Sequence, residues 1–286
     1  MKKIIYFFEF IFVKTLFIIF KVIGYKYSSN LGFLIGKTFG SIFRSKSLII
    51  NNLEKSKIKF EKKNYEIAKN VLGNYGRIFA EYPHLKNFRN NKLNEFIEIE
   101  GLEHLIKIKN NNKPVVFISG HFNNFELMAM QIEKSGINLA AIYRPLNNIF
   151  LNETMEKIRK NFICKKQIKK GRPGTRQVLD SLKKGFSIAL MVDQRVTEGS
   201  KINFFGNLAS TTTIPAQIIK KYKCDLVPIY IERLNNYYFK MYVSKPIKVS
   251  STKSQNEVSS FINKILEKMI LKNPDQWIWT HNRWKK

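Results

Sequence analysis

The sequence predicts an α/β fold: a mixed, largely parallel central sheet flanked by helices, with an apolar membrane-associated helix at the N-terminus. Three observations carry this expectation. From residue 96 onward, short apolar runs alternate with stretches of helical periodicity, the pattern of strands joined by crossover helices. Several of those runs end on polar residues, His121, Arg144 and Asp193 among them, and the carboxyl ends of strands are where open α/β sheets bind ligands. The third observation is the first two dozen residues, which are almost uniformly apolar.

Residues 4–23 contain 16 apolar residues in 20, and as a helix they would be about 30 Å long, the thickness of a hydrocarbon core. Glu9, Lys14 and Lys21 interrupt them, and a charge at the bilayer centre costs roughly 2.5–3.5 kcal/mol. Lys3, Lys14 and Lys21 fall on one stripe of the helix within about 20°, so their ammonium groups can snorkel while the rest lies in one leaflet. The expectation is therefore a helix tilted into or lying along one leaflet, with a single span and a buried core helix as the alternatives. No small-residue cleavage site follows, which argues against a signal peptide. The division is 1–24 for this helix and 25–286 for the globular domain, with 25–95 a helical cover and 96–286 the α/β core.

Within the cover, residues 31–43 are apolar and glycine-punctuated, and residues 65–85 are periodic up to Pro83; both read as helices. The segment GFLIGKT from Gly32 approximates a phosphate loop, but it has one residue too few between its glycines and sits in an amphipathic run. Strands are predicted at 96–100, 114–119, 138–143, 186–192, 225–232 and 237–243, and helices at 102–109, 148–162, 175–184, 216–222 and 258–271. No repeat or low-complexity linker divides the chain.

With 286 residues and 44% hydrophobic content, the chain can bury a large core, which excludes intrinsic disorder. Fifty Lys and Arg against 21 Asp and Glu leave a net charge of +29, which favours polyanionic partners: nucleic acid, an anionic membrane, a phosphorylated lipid or an acidic carrier protein. A general richness in Lys, Asn and Ile accounts for part of that charge. Cys164 and Cys224 are far apart and lack metal-type spacing, as suits a reducing compartment. No HExxH, CxxC or GxSxG occurs.

The central motif is ISGHFNNFEL, residues 118–127. A buried strand ends at Gly120, His121 follows in the turn, and Asn123 and Asn124 are placed to cap a helix carrying Glu126. Five residues is a poor contact spacing on one helix, so the pair requires His121 to precede the helix and Glu126 to reach back to one imidazole nitrogen. Such a carboxylate fixes the tautomer and stabilises the imidazolium, leaving the other nitrogen to take a proton from a hydroxyl. Chance alone supplies about 0.3 such pairs in a chain of this composition; five residues beyond His84, His104 and His281 stand Arg89, Lys109 and Lys286. Arg144 can hold a phosphate or neutralise an oxyanion, worth about 10²–10³ in rate, or simply form a surface salt bridge. Arg172 and Arg176 flank Pro173–Gly174 as a basic loop suited to an anion or to solvent. Asp193 is either a site residue or a turn former. His281 has no local acid and is not the base. The terminal QWIWTHNRWKK reads as a helix packed on the core by its aromatics, or as a membrane-facing rim.

In order, GHFNNFEL, YRP, MVDQ, FFGNLASTT followed by a proline and a helix, and QWIWTHNRWK give a chain that resembles the bacterial lipid A late acyltransferases, the lauroyl/myristoyl enzymes of the lysophospholipid acyltransferase superfamily. It departs from them at Asn123-Asn124-Phe125, where members commonly have Gly-Asn-Trp. The resemblance implies transfer of a fatty acyl group from acyl carrier protein to a hydroxyl of a lipid A precursor, without metal or organic cofactor. It makes His121 the base, Glu126 its orienting partner and Arg144 a substrate or oxyanion contact, and places Asn124, Asp193 and Gln194 in the same site, with the Arg172 loop as a further substrate contact. Residues 25–286 would be the acyltransferase domain, on the cytoplasmic face of the inner membrane because the carrier protein is cytoplasmic; the lysines of residues 46–63 fit the positive-inside tendency. The partners are then the acyl carrier protein, a phosphorylated glycolipid and an anionic membrane, with no nucleic acid. Alternatives are acylation of glycerol phosphate, a lysophospholipid or another glycolipid, a thioester hydrolase, and a basic nucleic-acid-binding protein. The last would bind with a steep salt dependence but leaves the apolar N-terminus and the His121 turn unexplained.

Overall fold

The computed structural model describes residues 2–285; the side chain of Arg172 lies outside the described residues. Five helices come first: α1 (Lys2–Ile23), α2 (Tyr25–Phe43), α3 (Lys46–Lys55), α4 (Asn64–Glu81) and α5 (Leu85–Arg89). The core then alternates β1 (Ile97–Glu100), α6 (Leu102–Asn111), β2 (Val115–Ser119), α7 (Glu126–Lys134), β3 (Leu139–Tyr143), α8 (Ile149–Ile158), β4 (Lys166–Lys169), α9 (Arg172–Lys183) and β5 (Ser187–Met191). A hairpin of β6 (Ser200–Phe204) and β7 (Asn207–Thr211) precedes α10 (Ile214–Tyr222), β8 (Asp225–Leu234), β9 (Tyr238–Val243) and α11 (Gln255–Lys272).

Seven strands form one sheet in the order β1-β9-β8-β2-β5-β3-β4, in which only β8 and β9 pair antiparallel. β2 is buried at all five residues, which is why VVFIS is a continuous apolar run, as a central parallel strand covered on both faces requires. β9 alternates buried and partly exposed residues along YFKMYV, the period of a half-covered strand. From the middle of the sheet the chain leaves in two directions: β2 crosses over β5 to reach β3, and β5 crosses over β2 to reach β8. A crevice at the strand carboxyl ends follows at that switch point.

The predicted strands and helices of the core are all present. The alternation did not reveal β4, the β6–β7 hairpin or α3. β4 carries two lysines and one buried residue, and its apolar signal is too thin to read. The predicted 148–162 helix ends as α8 and continues through a π-helical turn, Arg159–Ile163. Asn123 and Asn124 do not cap α7, whose N-cap is Phe125 without a side-chain bond. Their side chains are engaged elsewhere: Asn123 Nδ2 donates to the Ile231 carbonyl and Gln276 Oε1, and Asn124 Nδ2 to Glu81 Oε2. The C-terminal block is not a helix either. After a short 3₁₀ turn at Pro274–Gln276 it runs irregularly, because its indole N–H groups take separate partners: Trp277 on Asp193, Trp279 on the Pro274 carbonyl and Trp284 on the Phe204 carbonyl. All three tryptophans are buried, so the segment packs on the core by its aromatics and does not form an exposed rim.

The GFLIGKT segment has a packing explanation. Gly32 and Gly36 of α2 face Gly76 of α4 so closely that a Cβ on Gly76 would stand 1.9 Å from the Gly32 carbonyl oxygen, and one on Gly36 would stand 2.3 Å from that of Leu72. Small residues four apart let two helix backbones touch, and here they clamp the cover.

α1 is helical as expected, yet no helix among the described residues is long and apolar enough to cross a membrane, so the single-span alternative is not what the structure shows. It is not a core helix either, because Ile4, Phe8, Phe12, Ile18 and Val22 are exposed and only Phe20 is buried. The helix docks along its length: Asn148 Nδ2 donates to the Tyr6 carbonyl and to Glu9 Oε2, and Phe17 and Phe20 pack on Phe79. Glu9, an interruption in the sequence, is thus held by the residue that caps α8.

Replacing Gly76 with leucine is expected to lower stability by more than the ~1–3 kcal/mol typical of overpacking, because backbone and not a flexible side chain stands in the way. Denaturant unfolding of Gly76→Leu beside wild type checks this.

Candidate active site

β2 and β5 are parallel neighbours with Ser119 opposite Met191. Two residues beyond each of that pair stand His121 and Asp193, so the register alone sets them side by side. Asp193 is fully buried and accepts three hydrogen bonds at 2.8 Å: from His121 Nδ1 on Oδ1, and from the His121 backbone N–H and Trp277 Nε1 on Oδ2. Gly120 is required by this approach, since a Cβ there would meet Phe122 at 2.9 Å and the Asp193 side chain at 3.3 Å.

This set of bonds fixes the histidine. With Nδ1 donating to a carboxylate, Nε2 is the nitrogen left to accept a proton. Burial by itself lowers the pKa of His121, but the charge and hydrogen bond of Asp193, aided by the charge of Glu126, raise it above the ordinary value. Burial likewise raises Asp193, and the His121 charge and the bonds from His121 and Trp277 overcome it, leaving the carboxyl at about 2. Phe125 packs edge-on against the imidazole with ring centroids 4.8 Å apart.

Glu126 does not orient His121. It opens α7, one turn past the strand end, and its Oε1 accepts from Arg159 Nε at 3.0 Å and from the Tyr82 hydroxyl at 2.5 Å. Arg159 is the residue that the sequence reading missed: it follows α8 at the π-helical turn, and nothing in its neighbourhood of sequence marks it. Burial lowers its pKa, but the charge of Glu126 reverses that and holds the guanidinium firmly protonated. Its Nη1 is buried without a hydrogen-bond partner among the described residues.

His121 and Arg159 both line a cavity of about 830 Å³. Phe117, Met128, Ala129, Ile132, Ile163 and Ala189 give it an apolar part of its wall. Arg144 and Gln194 line the same cavity; Arg144 is exposed, with no carboxylate within ion-pair distance among the described residues. Asn124, by contrast, is fully buried with Nδ2 donating to Glu81 Oε2, and it is not among the residues lining the cavity. The Arg172 side chain lies outside the described residues. No cluster of three or more His, Cys, Asp or Glu side chains able to hold a metal occurs among the described residues.

Sheet and site together define a class: an α/β domain in which a histidine on a buried carboxylate opens at the strand ends onto an apolar-lined cavity. The chain belongs to the family described as bacterial lipid A biosynthesis acyltransferase, whose profile matches residues 1–286. It is similar to the lipid A biosynthesis palmitoleoyltransferase of Escherichia coli K12, at 26% identity over 200 residues, covering 68% of this chain and 63% of that protein. A lipid A biosynthesis acyltransferase of Shigella flexneri matches to the same extent, and the E. coli lipid A biosynthesis lauroyltransferase is 24% identical over 204 residues, again covering 68% and 63%. The matched segment thus spans somewhat less than two thirds of these relatives' length.

Asp193→Asn is expected to bring the His121 pKa down, since it removes the largest influence that raises it, whereas Glu126→Gln should lower it less. Imidazole titration by NMR in the two variants separates the roles, and a larger drop in Glu126→Gln would restore Glu126 as the principal partner.

Proposed function

We propose that this protein transfers a fatty acyl group from an acyl carrier protein thioester to a hydroxyl of a lipid A precursor, with His121 as general base. The observation that carries the reading is the His121–Asp193 pair at the mouth of an apolar cavity in a chain of this family. A thioester is already activated, so the reaction needs a base for an alcohol, a place for the acyl chain and a donor for one oxyanion.

In this mechanism the acyl chain lies against that apolar wall and places its carbonyl beside His121. Nε2 takes the hydroxyl proton as the acceptor oxygen bonds to the carbonyl carbon. Asp193 stabilises the imidazolium so formed. The tetrahedral oxyanion then collapses, the carbon–sulfur bond breaks, and the imidazolium returns its proton to the departing thiolate. Arg159, which lines the cavity, supplies a donor for the oxyanion, and Glu126 holds that guanidinium in place. Arg144 and Gln194 contact substrate at the mouth.

The acceptor is a membrane lipid, and the exposed apolar faces of α1 and α2 supply a surface for reaching it. Leu34, Ile42 and Phe43 of α2 add to the exposed side chains of α1; a contiguous apolar patch of this kind marks an interaction surface. With the excess of lysine and arginine, it fits the anionic cytoplasmic leaflet of the inner membrane.

The test is mass spectrometry of a lipid A precursor incubated with acyl carrier protein thioester and each variant. Wild type is expected to add one acyl mass, and His121→Ala and Asp193→Asn to slow the reaction by about 10²–10⁴. Acylation of lysophosphatidate in preference to the glycolipid would overturn the acceptor assignment, and full activity of His121→Ala would overturn the mechanism. Because the base must be neutral and its pKa is raised, kcat/KM should climb with pH through an inflection above the ordinary histidine value of about 6.5. A rate profile across that range checks it.

A further inference from the structure

The chemistry above leaves part of the cavity lining unused: Arg44 just after α2, Asn74 and Tyr75 of α4, Arg195, and His281 of the C-terminal segment. We propose that Arg44 and Arg195 form a phosphate-ester subsite there, a reading that rests on the acyl transfer proposed for this cavity and deepens it.

The two arginines are joined through one run of neighbours. The Arg44 guanidinium lies over the Tyr75 ring at 5.3 Å, and the Tyr75 hydroxyl accepts from Thr280 Oγ1 at 3.1 Å. Next to Thr280, His281 accepts the Arg195 backbone N–H on Nε2 at 2.9 Å. Arg195 Nε donates to the Lys285 carbonyl at 3.1 Å. Neither guanidinium has a carboxylate within ion-pair distance among the described residues, and both Nη atoms of Arg195 and the side-chain nitrogens of Arg44 lack protein acceptors there. His281 is held neutral: burial lowers its pKa, and the pull of Asp193 does not reverse this. The cavity that holds the base is therefore also lined by two arginines whose guanidinium groups have no ion-pair partner among the described residues.

A surface arginine is ordinarily solvated, but these two are held, Arg44 by stacking and Arg195 through Nε. A held planar fork matches a phosphate and gives up less freedom on binding one. A phosphate anion is the ligand that two such groups fit. Exposed Ile42 and Phe43 adjoin Arg44 directly, so a phosphate at the polar boundary of a lipid would arrive on this side. The same chemistry occurs in the acceptor's headgroup and in the phosphodiester arm of a carrier protein.

The test has two parts. Binding of inorganic phosphate followed by ³¹P NMR reads the subsite without any transfer reaction. Line broadening should be present in wild type, lost in Arg44→Ala/Arg195→Ala and kept in Lys107→Ala/Lys245→Ala, which removes the same charge elsewhere. Steady-state kinetics then name the source. In the arginine variant, a rise in KM of roughly 10–100-fold for a phosphorylated acceptor, with no change for its dephosphorylated counterpart, assigns the headgroup; a comparable rise for the carrier thioester assigns the arm. An unchanged imidazole titration of His121 shows that the centre is intact. Equal broadening in the two double variants, or equal loss of activity towards phosphorylated and dephosphorylated acceptors with the thioester KM unmoved, would overturn the subsite. Absence of acyl transfer with phosphate binding intact would remove the reaction and leave the subsite standing.

Discussion

A single buried carboxylate organises this molecule. Asp193 has no contact with solvent, and an ionised group so placed survives only if its lone pairs are occupied by good donors. Three donors come from two places in the chain: the turn after β2, through the His121 backbone and ring, and the C-terminal segment through Trp277. Meeting them demands the β2–β5 register, the missing side chain at Gly120 and a C-terminal segment that runs back across the site. The same bonds that make the burial tolerable also give His121 its tautomer and its raised basicity.

A second buried charge braces the first from behind. Glu81, at the end of α4, is fully buried and takes both terminal nitrogens of Arg233 from β8, at 2.6 and 3.0 Å, together with the Ser29 hydroxyl and Asn124 Nδ2. The helical cover, the sheet and the His121 turn are thereby tied at one point. Asn123, in the left-handed region at φ 42, turns the chain between them, a conformation that asparagine adopts more readily than most residues. The cover is consequently part of the site's scaffold. Tyr75, Tyr82 and Arg44 reach the cavity from it, and the close glycine contact of α2 with α4 sets their distance.

Charge and apolar surface are partitioned to match. Apolar side chains of β2, β5 and α7 line part of the cavity, where hydrocarbon loses its contact with water. Arg44, Arg144 and Arg195 line the same cavity and are at least partly exposed, and α1 and α2 carry exposed apolar side chains outside. Arg159 is the exception, a cation inside, and it is there with its own carboxylate and a buried tyrosine.

The sequence by itself determined the alternation of strands and helices, the largely parallel sheet, the turn that presents His121 and the apolar first helix, because each follows from local periodicity and from where glycine and proline interrupt it. It also held Asp193 as a residue at a strand end. Only the tertiary structure decided which acid the histidine uses. Glu126 lies five residues away in sequence, but the start of α7 points its carboxylate towards Arg159; Asp193 lies 72 residues away, and parallel pairing puts it in contact. Parallel strands join residues distant in the chain, and no local pattern records which strands are neighbours. The same reason hid Arg159, the structural use of Asn124 and the non-helical path of the C-terminal tryptophans, all of which are settled by hydrogen-bond partners drawn from other parts of the chain.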